Sequence, residues 1–283
     1  MATSRLLGPM LQPRVTVLVR PSGEVQLGWD PDDALLLRPA GLSTETVLAF
    51  LRLLDGLQTV PQIIWRAGEF HIDPVRAHAL LVEIGAAGLL EYPDDPPRGL
   101  RAVRVHGFGP LSDAVAAGLR RTGLRPIRSR GADVAAGKAD LVVLTDALVP
   151  DPRLVNELLL HRIPHLPVRI RNNKGMVGPL VLPGETSCLR CTDLTRADYD
   201  AAWPHLAAQL LDRVGYASPA GIAATSALAL TQLETIAACS TAREPTTLNT
   251  TVELHLDSHL IELRRWPRHP ACGCEHLTRR REP

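Results

Sequence analysis

The chain has 283 residues, with 31 Lys+Arg against 30 Asp+Glu, 45% hydrophobic and 22% charged residues. This is the make-up of a folded protein of one large or two modest domains and excludes a disordered chain. A formal net charge of +1 offers no electrostatic footprint for nucleic acid or a membrane surface, and the basic run Arg279–Glu282 is too short to change that.

The opening MATSRLLGPMLQPR lacks the apolar run of a secretory signal. VTVLVR (15–20) and VQLGW (25–29) are β-rich runs around a PSGE turn, and ALLLRP (34–39) reads as a third strand. Ser43 is an N-cap candidate before a helix that carries Val47, Phe50, Leu51 and Leu54 at helical spacing and stops at Gly56. PQIIWRAG follows. A further helix opens at Asp73-Pro74, with Ala77, Leu80, Leu81 and Ile84 on one face, and LLEY closes as a short strand. Three small strands and three helices predict a winged-helix domain over residues 1–92. Its last helix mixes Arg76 and His78 with Asp73 and Glu83, whereas a groove-reading helix is normally clearly basic, so DNA binding is disfavoured.

PDDPPRG makes residues 93–100 the predicted linker. Beyond it, strand and helix alternate as in a parallel-sheet α/β domain, predicted over 101–283. RAVRVH, LRPIRSR, DLVVLT and LPVRIR are the strands; DAVAAGLRRTG and DPRLVNELLLHR are helices. The apolar stretch Gly221–Cys239 is cut by Gln232 and Glu234, as suits a buried helix rather than a bilayer span. No export signal and no span together predict a cytoplasmic, reducing setting.

GFGPLS, after the first of these strands, is where a dinucleotide fingerprint would lie. Gly107 and Gly109 fill its first two glycine places, but Ser112 takes the third and Pro110 removes an N–H from the helix start. Where an acid should meet the ribose stand Arg125, Arg128 and Arg130; the first acid, Asp133, falls in a loop-like stretch. A tight βα turn without nucleotide is therefore favoured, and ATP is not expected as a cofactor.

Cys188-x-x-Cys191 and Cys272-x-Cys274 supply two chelating pairs. In a reducing compartment such pairs are more often metal ligands than disulfides, and four thiolates fill a tetrahedral zinc completely, which marks a structural ion. His276 then has no place to take. A redox role for CxxC would require a thioredoxin-like surrounding pattern, which differs from this one. Cys239, in the apolar helix, is expected to be a small buried hydrophobe.

The segment 101–274 resembles the ThiF/MoeB-type fold, related to the ubiquitin-activating enzymes. The residues carrying this are GFG at 107–109, DLVVLTD at 140–146, Arg153 and Asn156 on the next helix, GPLVLPGETSCLRC at 178–191 and the closing HPACGC. Members adenylate the C-terminus of a small carrier protein with ATP, and many hold a four-cysteine zinc. Asp146 matches the family's TD position beside ATP and its metal, so Asp146, Arg153 and Asn156 are vestigial catalytic candidates. The third glycine, the ribose-binding acid and the stretch supplying the remaining ATP contacts are missing.

The whole layout looks like a narrower group, the ocin-ThiF-like or cyclodehydratase C proteins, also described as TOMM precursor leader-peptide-binding proteins. In that group a precursor leader adds as a strand to the winged-helix portion, a β-augmentation. The resemblance implies a peptide site at 34–38 and 75–84, with Leu35, Leu36, Leu37, Arg38, Arg76 and Leu80 as candidates. It also implies a zinc-stabilised, non-catalytic scaffold that presents the peptide to a separate YcaO-type cyclodehydratase, and a homodimer by analogy with ThiF proteins. An ATP-dependent adenylating enzyme is the alternative.

Overall fold

In the computed structural model of the protein, residues 8–38, 41–92, 100, 102–122, 124–130, 139–238 and 244–274 are described. Asp133, Cys239, His276, the basic run at 279–282 and nearly all of the predicted linker lie outside them. The chain divides into two units between residues 96 and 97.

The first unit holds β1 (Met10–Leu11), β2 (Val17–Val19), β3 (Val25–Leu27), β4 (Leu35–Leu37), α1 (Thr44–Arg52), α2 (Val60–Ala67), a 3-10 turn (Gly68–Phe70), α3 (Pro74–Ala86) and β5 (Leu90–Glu91). β2, β3 and β4 form an antiparallel sheet with β3 in the middle, and β1 pairs with β5. Caps set the helix starts. The Ser43 hydroxyl accepts from Thr46 N at 3.2 Å and the Asp73 carboxylate from Arg76 N at 3.0 Å, and Pro74 sits where its missing N–H costs nothing. The apolar faces of all three helices close over β3, burying Phe50, Ile63, Leu80 and Ile84 with Val25, Leu27 and Leu37. The short PQIIWRAG segment is a helix capped by Thr59 and Gln62, the second of the three helices expected here.

The second unit is built on β6 (Ala102–His106), α4 (Pro110–Arg121), β7 (Arg125–Ser129), β8 (Leu141–Thr145), α5 (Pro152–Leu160), β9 (His165–Arg171), β10 (Lys174–Val177), α6 (Leu189–Tyr199), α7 (Trp203–Gln209), α8 (Pro219–Ala238), β11 (Thr250–His255) and β12 (Ile261–Arg265). Its seven-stranded sheet runs β12-β11-β10-β9-β8-β6-β7. β7, β6, β8 and β9 are parallel neighbours, and β10, β11 and β12 continue as an antiparallel meander. The central sheet is thus mostly parallel, as the alternating pattern predicts.

Strand alternation distributes the core. Val103, Val105, Leu141, Val143, Val168 and Ile170 pack under α4 and α8. Val142 and Leu144 turn to the opposite layer, where Leu154 and Leu158 of α5 meet Leu189, Cys188 and Cys191 of the α6 start. α8 is the predicted apolar helix, and no described helix is long and apolar enough to cross a membrane. The order of β7, β6 and β8 places a topological switch point at the C-terminal ends of β6 and β8, where open α/β sheets bind their ligands.

Candidate functional site

Two places in the second unit have the chemistry of a site. The first is the thiolate cluster. Cys188 caps α6 and Cys191 lies in its first turn, while Cys272 and Cys274 arrive on the turn after β12. All four are buried, and their Sγ atoms lie within 4.8 Å of one another. Cys188 is 3.4 Å from Cys272 and 3.8 Å from Cys191, and Cys191 is 3.5 Å from Cys274. Zn–S bonds near 2.3 Å at tetrahedral angles put sulfurs about 3.8 Å apart, so this set fits a four-coordinate zinc.

Long-range contacts hold the two halves of the cluster together. Arg268 Nη2 donates to Gly184 O at 2.8 Å, and Ser187 N donates to Asn249 Oδ1 at 2.7 Å. His269 Nε2 meets Asp198 Oδ2 at 2.8 Å, and the His269 carbonyl accepts Cys272 N at 2.9 Å. Without an ion the sulfurs are unequal. The hydrogen bond from the Cys188 thiol, joined by the backbone at His269 and Cys188, draws the Cys191 pKa down to about 4. Cys188 itself is driven upward by the same contact with Cys191 and by burial. Burial comes first for Cys274, pushed up to about 12. Thiol protons must leave before four thiolates can share an ion, which makes metal affinity depend on pH.

The second place is the crevice between β6 and β8. Gly107 adopts φ +147, and a Cβ there would collide with Thr145 Oγ1; a Cβ on Gly109 would lie 2.8 Å from Asp146 Oδ1. Asp146 is 4% exposed and has a φ of +67, a left-handed conformation that Asp tolerates better than most residues. That turn tucks its carboxylate under the start of α4, where Oδ1 accepts Ser112 N at 3.4 Å.

The neighbouring amides are also engaged. Gly109 N donates to Ser112 Oγ at 3.0 Å, Gly107 N donates to Ser129 O at 3.1 Å, and Pro110 has no N–H. Arg128 folds over the helix start, donating to Asp113 Oδ1 at 2.7 Å and to Ser112 Oγ at 3.1 Å. The Arg130 guanidinium stacks on the Phe108 ring. The amides of Gly107, Gly109 and Ser112 are thus engaged within the chain itself.

The vestigial candidates separate. Asp146 lies beneath the turn at Gly107 and Gly109. Arg153 lines a cleft of about 480 Å³ with His106, Arg130, Asp151 and Asp212. Asn156 lines a different cleft, beside Leu189, Arg190 and Asp193. Burial lowers the His106 pKa, with Arg104 adding to the effect.

In the first unit, β4 is an edge strand of its sheet. Leu35 and Leu36 are half-buried and Arg38 and Arg76 are exposed, while Leu37 and Leu80 belong to the core. Arg38 is paired with Glu24, and Arg76 with Asp73 at 3.3 Å. Sequence reading overlooked Val75 and Val82, exposed at 78% and 56% on α3. They are visible in the sequence as apolar residues off the core face, seven positions apart.

A seven-stranded sheet of this order, a thiolate cluster at one end and a glycine turn facing an aspartate define a ThiF-like fold. No family model matches the chain, and no curated protein sequence does. Solved structures do. A heterocyclase in complex with substrate and cofactor superposes with a TM-score of 0.65 at 19% identity, over 95% of this chain and 40% of its own. The heterocyclase TruD gives 0.62 at 18%, over 95% and 42%. Escherichia coli MccB with ATP gives 0.63 at 12%, over 94% of this chain and 99% of MccB. MccB in complex with N-formylated MccA gives 0.64 at 12%. The chain therefore spans about two fifths of the heterocyclases' length and nearly all of MccB's. At these identities the likeness is one of fold.

Proposed function

We propose that the protein is a non-catalytic peptide-binding scaffold of ocin-ThiF type. Its first unit, read as a winged-helix recognition element, takes a precursor leader peptide as an added strand along β4. Edge amides and carbonyls supply affinity, and the exposed apolar residues Val75 and Val82 of α3 supply side pockets. The second unit presents the bound peptide to a separate modifying enzyme of YcaO type, with two copies of the chain as the expected assembly and the cytoplasm as the setting.

The observation that carries the non-catalytic reading is the state of the crevice. Ser112 and Asp146 use the α4 and turn amides that an ATP phosphate would need, and Arg128 lies across the same place. The kinds of fold neighbour agree with peptide modification: one is a heterocyclase described with its substrate, another MccB described with MccA.

Zinc is proposed as the resident ion of Cys188, Cys191, Cys272 and Cys274, with a structural role, because four thiolates leave no open position. Its contribution is to cross-link the start of α6 to the turn after β12.

The test is fluorescence anisotropy of the full chain with the leader of a precursor peptide encoded beside its gene, run alongside ATP–pyrophosphate exchange. Saturable leader binding and no exchange are expected. Exchange that depends on Asp146 would establish the adenylating alternative instead.

A further inference from the structure

LPVRIR in β9 sets Arg169 and Arg171 two positions apart, on one face of the sheet, with Val168 and Ile170 in the core on the other. Arg169 is only 6% exposed. Its Nη1 donates to Leu148 O at 3.1 Å, but its Nε is buried with no hydrogen-bond partner. Arg196 of α6 approaches from the covering layer, its guanidinium between Trp203 at 5.2 Å and Trp266 at 4.6 Å. The three arginines line one narrow cleft whose free space is about 20 Å³.

The charges around this cleft do not balance. Asp193 is the one carboxylate among its lining residues, and it already holds Arg196 Nη1 at 3.0 Å and the Trp203 indole N–H at 3.3 Å. Glu253, on the same face of the sheet, holds Lys174 through Oε2 at 3.2 Å, has a buried Oε1 without a hydrogen-bond partner, and with Asp193 partly offsets the repulsion on Arg169. Three guanidinium groups thus draw on two carboxylates, Asp193 and Glu253, each already engaged in another pair, in a largely desolvated place that a further negative partner would stabilise. Burial, followed by repulsion from Arg196 and Arg171, lowers the Arg169 pKa to about 9, and burial lowers that of Arg196 to about 10.

We infer that this cleft is a carboxylate-binding site, with Arg169 Nε, Arg171 and Arg196 as its donors. A planar carboxylate head matches the guanidinium fork, and the free space, about that of one ordered water, leaves room for such a head group at most and none for a nucleotide. The site is separate from the β4 edge, so it stands whether or not a leader peptide binds there. The carboxylate belongs either to a small free acid or to the end of a polypeptide.

Acetate is the first probe. The thermal midpoint of the full chain is followed in acetate, phosphate and chloride at matched ionic strength, for wild type, Arg171→Gln and Arg169→Met. Acetate should raise the wild-type midpoint saturably. Arg171→Gln should weaken the apparent acetate affinity by roughly tenfold, the loss of one charge-assisted hydrogen bond. Arg171→Gln should be no less stable than wild type in chloride, because it removes a repelled charge, whereas Arg169→Met also loses the bond to Leu148 O and serves only as the second test of acetate binding. A tripeptide with a free C-terminus, compared with its amide, separates the two sources: a much tighter free form points to a chain end, and equal affinity to acetate points to a small acid. An unsaturable acetate response, the same response in Arg171→Gln, or saturation by phosphate alone would overturn the assignment.

Discussion

The thiolate cluster and the crevice lie in the same unit yet treat their polar groups in opposite ways. At the cluster, four sulfurs converge within 4.8 Å and find mainly each other, an arrangement with the geometry to hold an ion. At the crevice, Gly107 N, Gly109 N and Ser112 N all have acceptors within the chain. Buried polar groups must be satisfied, and whatever satisfies them reports what a site is for. The sulfurs keep the capacity to take an ion in common, whereas these three amides are already engaged within the chain.

Breaking the metal side should produce the largest effect. Cys272→Ser is expected to lose one equivalent of zinc per chain, read by metal analysis. It should also lower the midpoint by on the order of 10 °C or more, given the several kcal/mol a structural zinc supplies. Full metal content with an unchanged midpoint would contradict the four-thiolate site.

A second effect arises beneath the same sheet. His165 is fully buried, and desolvation lowers its pKa from 6.5 to about 4. The unfolded chain therefore takes up this proton first as pH falls. The stability is fully present above pH 6.5 and drains away down to about pH 4, by about 3 kcal/mol in all. His165→Gln should flatten that part of the stability profile in denaturant titrations. Thiolate protonation is common to both proteins, so the difference between them isolates the histidine.

On the crevice side, Asp146→Ala should destabilise by about 1–2 kcal/mol, through loss of the Ser112 bond and a left-handed backbone that Ala tolerates poorly. Asp146→Asn should cost less. Calorimetric titration with ATP should give no heat of binding for wild type or either variant; a signal from wild type alone would reverse the reading of this crevice. The smallest expected change tests the first unit: Val82→Asp, on an exposed face, should weaken leader binding roughly tenfold, about 1.4 kcal/mol, with an unmoved midpoint.

Much of the fold was legible because local rules and tertiary packing agree. Ser43 and Asp73 cap the helices where their side chains indicate, and the uninterrupted apolar run of DLVVLT is a strand buried on both faces. The meander β10–β12 was less legible. β12 is exposed along its whole length, so its Ile, Glu, Leu and Arg residues carry no burial pattern to read. Leu80 and Leu37 illustrate a related limit, since a resemblance names a segment but not which of its side chains face inward.

By itself, the sequence determined which four cysteines converge, the glycine turn and its missing acid, and the alternation that produces a parallel sheet. These follow from residue type and short spacing, which are local properties. Only the tertiary structure decided that Asp146, thirty-seven positions beyond Gly109, accepts the Ser112 amide of α4, and that Arg169, Arg171 and Arg196 share one cleft. Both depend on strand order and on which layer covers which face, and those are fixed by packing between segments remote in the chain.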